Sequence, residues 1–124
     1  MMKNEEKTFL VLGVSLRQLR YANLAVRRLL SSGYPVIAVG KQEGEFEGVT
    51  VHREIPAGIK VHTVLMYLSS AHQEPYADIL MGLKPERIIF NPGAENDELA
   101  EKMKAAGVQV VESCALVMHS LKKL

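Results

Sequence analysis

The sequence predicts an α/β domain in which helices cover a mainly parallel sheet. Short apolar runs of strand length alternate with longer segments of helical periodicity from residue 8 to the end of the chain. Glycine and proline separate these segments, as Gly33 and Pro35 do after the first helical stretch. With 124 residues, of which 48% are hydrophobic and 23% charged, the chain has the length and composition of one folded domain.

The first forty residues predict a strand–helix–strand unit. Thr8–Leu12 is a short apolar run typical of a buried parallel strand, and Ala22–Ser32 carries an apolar face at helical spacing. Gly33 is expected to end that helix, and Pro35–Val39 is the second strand. The unit has the length of a βαβ motif, which favours parallel pairing of its two strands.

The rest of the chain predicts three more strands, each followed by a helix. Before them, the polar, glycine-rich stretch Gly40–Gly48 predicts a surface loop, and Val49–His52 a short extended piece. The later elements alternate in type: strand Val61–Leu68, helix Ser70–Leu83 with Pro75 in its first turn, strand Arg87–Phe90, helix Glu95–Ala106, strand Val108–Val111 and helix Cys114–Lys122.

Together these elements predict a three-layer, Rossmann-like, doubly wound sheet of about five parallel strands in the order 3-2-1-4-5. Residues 1–6 are expected to be a flexible N-terminus, and residues 7–124 a single domain. Ligands of such sheets bind beyond the carboxyl ends of the strands, beside the first strand. The segments around Gly13, Gly40, Leu68 and Asn91 should therefore share one edge.

Charge and composition narrow the class of partner. Fifteen basic and 14 acidic residues give a net charge of +1, which provides no reason to expect nucleic acid or an anionic membrane as a partner. No apolar run approaches the length of a membrane span, and the first residues lack an apolar signal region. A single cysteine fits a reducing compartment. We therefore expect a cytoplasmic protein with a small-molecule ligand, and the two edges of a short open sheet would suit a homodimer.

The turn after the first strand is the first candidate binding element. Gly13-Val14-Ser15 lies where a strand leads toward a helix, and such turns present backbone N–H groups to phosphate. Gly13 would let the backbone approach a phosphate, and Ser15 would add a hydroxyl donor. The dinucleotide fingerprint G-x-G-x-x-G is incomplete, since Ser15 stands at its second glycine. A tight turn without a ligand would use the same glycine.

The start of the first helix could complete an anion site. Arg20 would supply positive charge near the turn. Asn23 is expected either to cap the helix or, with Tyr21 and Ala22, to place its first amides near the anion.

The end of the second strand discriminates between nucleotides. An NAD site usually has an acidic side chain there for the ribose 2′-hydroxyl, but this chain has Gly40 and Lys41 after Val39. A lysine suits a phosphorylated ribose, either the 2′-phosphate of NADP or the 3′-phosphate of coenzyme A (CoA). A solvated loop lysine is the plain alternative.

Two further segments lie at the same predicted edge. Asn91-Pro92-Gly93 forms a turn after the fourth strand, and Asn91 offers both a donor and an acceptor. Cys114 begins the last helix, where a helix N-terminus can activate a thiol, although a free cysteine is more often a small core residue. The sequence contains no nucleophile elbow, P-loop or metal-ligand spacing, and no paired acid and base, so catalysis is not supported.

With these residues placed, the chain resembles the small stand-alone CoA-binding domain proteins, which share their fold with the nucleotide-binding domain of the succinyl-CoA synthetase α subunit. The resemblance runs from Lys7 to about His119. The segments that carry it are Leu10–Ser15 with Arg20-Tyr21, Gly33–Val39, Asn91–Asn96 and Ala106–Cys114.

The resemblance implies where CoA would lie. The pyrophosphate would sit over Gly13-Val14-Ser15, with the adenosine end near Val39-Gly40-Lys41. The pantetheine arm would pass Tyr67-Leu68 and run toward Asn91-Pro92-Gly93.

The resulting hypothesis is a non-catalytic CoA or acyl-CoA binding protein, acting as a carrier, a sensor or the partner of an acyl-CoA enzyme. The main alternative is an NADP-type oxidoreductase or redox sensor. Two others stay open: a thiol-based protein in which Cys114 forms a mixed disulfide with CoA, and an interaction module that has lost its ligand.

Overall fold

The structure is a computed structural model that describes residues 2–124, and in this range it contains one seven-stranded sheet and four α-helices. The strands are β1 Phe9–Leu12, β2 Val36–Val39, β3 Gly44–Phe46, β4 Val49–His52, β5 Thr63–Met66, β6 Arg87–Phe90 and β7 Gln109–Glu112. The α-helices are α1 Tyr21–Ser31, α2 Ala77–Leu83, α3 Asp97–Ala105 and α4 Ala115–Ser120. Three short 3₁₀ turns add Asn4–Glu6, Ser70–His72 and Glu74–Tyr76.

The sheet confirms the α/β, Rossmann-like class but corrects the strand count and order. The strands lie in the order β3-β4-β2-β1-β5-β6-β7, and all neighbours are parallel except β3 and β4. The third predicted strand, which contains β5, lies beside β1 and not beside β2. The short piece β4 takes the predicted position outside β2. The expected order therefore holds only when β4 is counted as the third strand.

The additional edge is a hairpin: its second strand, β4, coincides with the predicted extended piece Val49–His52, whereas its first strand, β3, lies in the predicted loop Gly40–Gly48. Glu47 and Gly48 both have positive φ, at 51° and 77°, which is the backbone of a two-residue type I′ turn. The turn pairs Phe46 with Val49 in antiparallel register. Three glutamates and three glycines between residues 40 and 48 conceal this strand, because the usual signal of apolar alternation is missing.

Helices cover both faces of the sheet, which explains why β1 is apolar at every position. Phe9 and Val11 pack into a cluster with α1 and α4, whereas Leu10 and Leu12 pack into a cluster with α2 and α3. All four side chains are fully buried. A strand between two helical layers has no solvent-facing side, so no alternation of polar residues is expected.

The last three helices are shorter than predicted, helix α1 is shifted by one residue, and one expected cap is wrong. The predicted helix Ser70–Leu83 consists of two 3₁₀ turns followed by α2, with Pro75 in the second turn. Helix α1 begins at Tyr21 after Arg20, so Asn23 lies inside it and does not cap it. Of the helices within residues 2–124, none is both long enough and apolar enough to cross a bilayer.

Candidate functional site

A cleft of about 210 Å³ opens at the carboxyl edge of the sheet, beside β1. Five of the residues singled out from the sequence line it: Gly13, Val14, Ser15, Lys41 and Leu68. The structure thus brings together the segments that follow β1, β2 and β5. Two lining residues, Leu16 and Gln42, were not predicted, although each directly follows a predicted site residue, Ser15 or Lys41.

The turn after β1 does not offer the amides expected of it. The N–H groups of Gly13 and Val14 both donate to the Val39 carbonyl, each at 2.9 Å. Gly13 has φ of +96°, and a Cβ there would lie 3.1 Å from the Leu68 nitrogen, so glycine is required for the turn itself. Within residues 2–124, the Ser15 and Leu16 amides have no hydrogen-bond acceptor. The amides of this turn without an acceptor in the described chain are therefore those of Ser15, which was predicted, and Leu16, which was not.

Gly40 is required by a close backbone crossing. A Cβ at this position would lie 2.0 Å from the Val14 carbonyl oxygen, which no side chain can accommodate without moving the turn. Gly40 is buried, and its amide donates to the His52 carbonyl at 2.8 Å. Val39 is fully buried as well. Both residues shape the cleft from beneath, and Lys41 is the first exposed residue after β2.

A buried amide braces the loop after the turn. Asn23 is fully buried, and its Nδ2 donates to the Ser15 carbonyl at 2.8 Å. Its Oδ1 accepts from Arg27 Nε at 2.9 Å, and Arg27 Nη2 donates to the Gln18 carbonyl at 2.8 Å. These bonds fix the Ser15–Gln18 segment on α1. Nothing in the helical position of Arg27 reveals its bond to this loop.

Exposed cationic and apolar side chains stand at the start of α1, a few residues after the Ser15-Leu16 segment that lines the cleft. Arg20 is exposed at the N-cap of α1, and Tyr21 is 74% exposed in its first turn. Leu19 beside them is 97% exposed. None of the three lines the 210 Å³ cleft, so contact with a ligand would require one that extends beyond it.

Asn91 is a structural residue of the edge. Only 2% of it is exposed; its Nδ2 donates to the Met66 carbonyl at 3.1 Å, and its Oδ1 accepts from the Ala115 amide at 2.8 Å. Both polar atoms thus tie β6 to β5 and to α4, and do not offer the donor and acceptor expected from the sequence. The neighbouring Pro92 and Gly93 are exposed.

A buried glutamine that the sequence analysis missed joins two loops of this edge. Gln73 is fully buried, and its Nε2 donates to the carbonyls of Leu68 and Ala94 at 2.8 and 2.7 Å. Its Oε1 accepts from Asn96 Nδ2 at 2.9 Å, and Asn96 Oδ1 caps α3 through the Leu99 amide. Gln73 lies in the segment between two 3₁₀ turns, where a polar residue normally indicates solvent exposure.

Tyr67 and Cys114 lie close together behind the edge. The Tyr67 hydroxyl is buried and has no hydrogen-bond partner within residues 2–124. Burial, with a smaller contribution from Cys114, raises the pKa of Tyr67 above its ordinary value. Cys114 is partly buried at the N-cap of the six-residue α4. In the described part of the chain, no three His, Cys, Asp or Glu side chains form a group that could hold a metal.

Comparison with known proteins decides the family. A model of the CoA binding domain matches residues 7–120, nearly the whole chain. The chain belongs to the CoA-binding domain family. This confirms the resemblance inferred from the sequence motifs. No curated protein matches the chain.

Solved structures of similar fold include members without an assigned role and one enzyme. A protein described only as uncharacterized is 41% identical over 95% of this CoA-binding domain and 98% of its own chain, with a TM-score of 0.90. The Thermus thermophilus protein cell-free ID.343 is 21% identical over 99% and 100% of the two chains, with a TM-score of 0.81. Dinucleotide-forming acetyl-coenzyme A synthetase 1 from Candidatus Korarchaeum cryptofilum is 16% identical over 86% of this chain and 26% of that chain, with a TM-score of 0.70. The last two are similar in fold alone.

Proposed function

We propose that this protein binds CoA or acyl-CoA without catalysing a reaction, and that the ligand occupies the cleft at the carboxyl edge of the sheet. The observation that carries the proposal is the cleft itself, where the unpaired Ser15 and Leu16 amides and the exposed Lys41 line one cavity. Free amides and an ammonium group are suitable partners for pyrophosphate and for a ribose phosphate.

The chemistry of the lining favours binding over catalysis. The seven lining residues include the Ser15 hydroxyl and the Lys41 amine, but no carboxylate or imidazole that could act as a general base for either of them.

The dimensions require that most of CoA lie outside the cleft. A volume of about 210 Å³ is below the range of a pocket that encloses a drug-sized ligand. We therefore assign the pyrophosphate to Ser15 and Leu16, and the 3′-phosphate to Lys41 with Arg20 at the rim. The adenine lies beside Tyr21, and the pantetheine arm passes Leu68 toward Pro92 and Gly93.

Titration calorimetry with CoA, dephospho-CoA and NADPH tests the proposal. CoA should bind more tightly than either analogue, and Lys41→Gln should weaken CoA binding about tenfold, or about 1.4 kcal/mol, with a smaller effect on dephospho-CoA. Lys60→Gln, another exposed lysine, is the matched control and should change nothing. Preferential binding of NADPH would support the oxidoreductase alternative. Failure to bind any of the three would contradict a nucleotide function.

A further inference from the structure

A second cleft lies at the opposite, amino-terminal edge of the sheet, where α1 and α4 end. Its volume is about 450 Å³, larger than that of the candidate CoA cleft. Three of its lining residues carry or can accept positive charge: Arg28, His119 and Lys122. The neutral polar side chains that line it are those of Asn4, Ser32, Tyr34 and Ser120.

No carboxylate side chain lines this cleft, but Leu124, the last residue of the sequence, lines it and presents a main-chain carboxylate oxygen 3.3 Å from Lys7 Nζ. Within residues 2–124, the side-chain ion pairs closer than 4.0 Å are Glu98–Lys102 and Glu101–Lys104, both on α3. Neither Arg28 nor Lys122 takes part in a side-chain ion pair of the described chain. Glutamates follow Asn4 in its 3₁₀ turn, but they are exposed and do not line the cleft.

A buried cation, Arg87, and a partly exposed one, Lys7, lie close to the cleft through their bonds to Lys123 and Leu124. Arg87 is 9% exposed; its Nη1 donates to the Lys123 carbonyl at 3.1 Å, and its Nε and Nη2 donate to Thr63 Oγ1 at 3.1 and 3.0 Å. Lys7 Nζ donates to the oxygen of Leu124, a lining residue, at 3.3 Å. Burial and the charge of Arg87 both lower the pKa of Lys7, as expected for cations that share one low-dielectric region.

The cleft also holds a preformed hydroxyl–imidazole pair. Ser32 Oγ and His119 Nε2 are 2.7 Å apart. Asn4 Nδ2 donates a hydrogen bond to the Ser32 carbonyl at 2.7 Å. The direction of the Ser32–His119 bond depends on the tautomer of His119: where Nε2 carries the hydrogen, Nε2 donates to the Ser32 oxygen, and the hydroxyl hydrogen is then free to donate to a ligand. A guanidinium, an ammonium and hydroxyl donors around one cavity are the groups that bind phosphate oxygens.

We infer that this cleft binds a small anion carrying a phosphate group, at a site separate from the CoA cleft. The two sites lie at opposite ends of the parallel strands. The inference rests on the charge and lining of the amino-terminal edge and does not depend on the function proposed for the carboxyl edge.

Two-dimensional ¹H–¹⁵N NMR tests the inference with inorganic phosphate and glycerol 3-phosphate as probes and sodium chloride at matched ionic strength as the reference. Both phosphates should shift the amide signals of Ser32, His119 and Ser120 in a saturable way, whereas chloride should not. Tighter binding of glycerol 3-phosphate would identify a phosphorylated metabolite as the ligand class, and tighter binding of phosphate the free ion.

Variants separate a site from general charge. The double variant R28Q/K122Q should weaken phosphate binding at least tenfold. The control R53Q/K60Q removes the same charge from exposed residues outside the cleft and should bind as the wild type does. Ser32→Ala, which keeps all charges, should weaken binding several-fold. Equal shifts with chloride, or undiminished binding by R28Q/K122Q, would overturn the inference.

Discussion

Replacing Gly40 by alanine tests the account of how the cleft is built. The added Cβ would lie 2.0 Å from the Val14 carbonyl oxygen, whereas contacts of real Cβ atoms stay above 3.0 Å. Relief requires the Val14 carbonyl to move by about 1 Å. Such a shift strains the two hydrogen bonds from Gly13 and Val14 to the Val39 carbonyl. It also displaces the Ser15 and Leu16 amides that follow.

The magnitude follows from these two effects. Each backbone hydrogen bond contributes about 0.5–1.5 kcal/mol net, and overpacking a buried site costs about 1–3 kcal/mol. The two strained hydrogen bonds and the overpacking together should lower the free energy of unfolding of Gly40→Ala by about 2–6 kcal/mol. Because natural domains have roughly 5–15 kcal/mol of stability, CoA affinity is measured under conditions where circular dichroism shows the variant to be folded, and it should be weaker.

Urea unfolding followed by circular dichroism measures the stability change. The matched control is Gly82→Ala in α2, where an added Cβ meets nothing within 4 Å; it should raise stability by about 0.5–1 kcal/mol through helix propensity. If Gly40→Ala unfolds within about 0.5 kcal/mol of the wild type, the crossing of the two loops is not as described.

Three further substitutions test the buried polar groups of the same edge, each by urea unfolding. Asn23→Ala should lower the free energy of unfolding by about 1–3 kcal/mol, because it removes the hydrogen bond to the Ser15 carbonyl; an unchanged stability would contradict a stabilising role for this bond. Gln73→Leu should lower the free energy of unfolding by about 2–5 kcal/mol, because it leaves the Leu68 and Ala94 carbonyls and the Asn96 side-chain amide without their partner. Gln73→Glu should not restore the two bonds that Nε2 donates. A loss below about 1 kcal/mol for Gln73→Leu would contradict a structural role for these bonds. Tyr67→Phe should change stability by less than about 1 kcal/mol at neutral pH, since its hydroxyl has no partner in the described chain. The folded state raises the Tyr67 pKa, so Tyr67 of the unfolded chain ionises first above pH 10.0. Above that pH, the free energy of unfolding of the wild type should therefore fall more steeply than that of Tyr67→Phe, by up to about 1.4 kcal/mol per pH unit. Identical pH slopes would contradict the pKa shift.

The fold was predictable where local pattern and tertiary environment agree. The apolar run of β1 and the Gly33 stop after α1 both reflect a buried parallel strand and a helix terminus, and the structure confirms both elements. Strand β3 was not predicted, because it has three residues and lies with the turn Glu47-Gly48 in a charged stretch. The predicted strand order was wrong because the short extended piece Val49–His52, which is β4, was not counted among the strands of the sheet.

The candidate site was predictable as a location but not as a set of contacts. The rule that loops after parallel strands share one edge correctly brought Gly13, Ser15, Lys41 and Leu68 together. Which polar atoms are free depends on hydrogen bonds between distant residues, and no sequence pattern encodes these. The Gly13 and Val14 amides, which were expected to bind phosphate, donate to the Val39 carbonyl. In the same way, the two polar side-chain atoms of Asn91 are hydrogen-bonded to the Met66 carbonyl and the Ala115 amide.

The most direct test of the central claim is a ¹H–¹⁵N NMR titration of the protein with CoA. If CoA binds at the carboxyl edge, the amide signals of Ser15, Leu16, Lys41 and Gln42 should shift in a saturable way, and signals from the amino-terminal edge should stay in place. Saturable shifts confined to other residues, or no shifts at millimolar CoA, would contradict the assignment of this cleft as the CoA site.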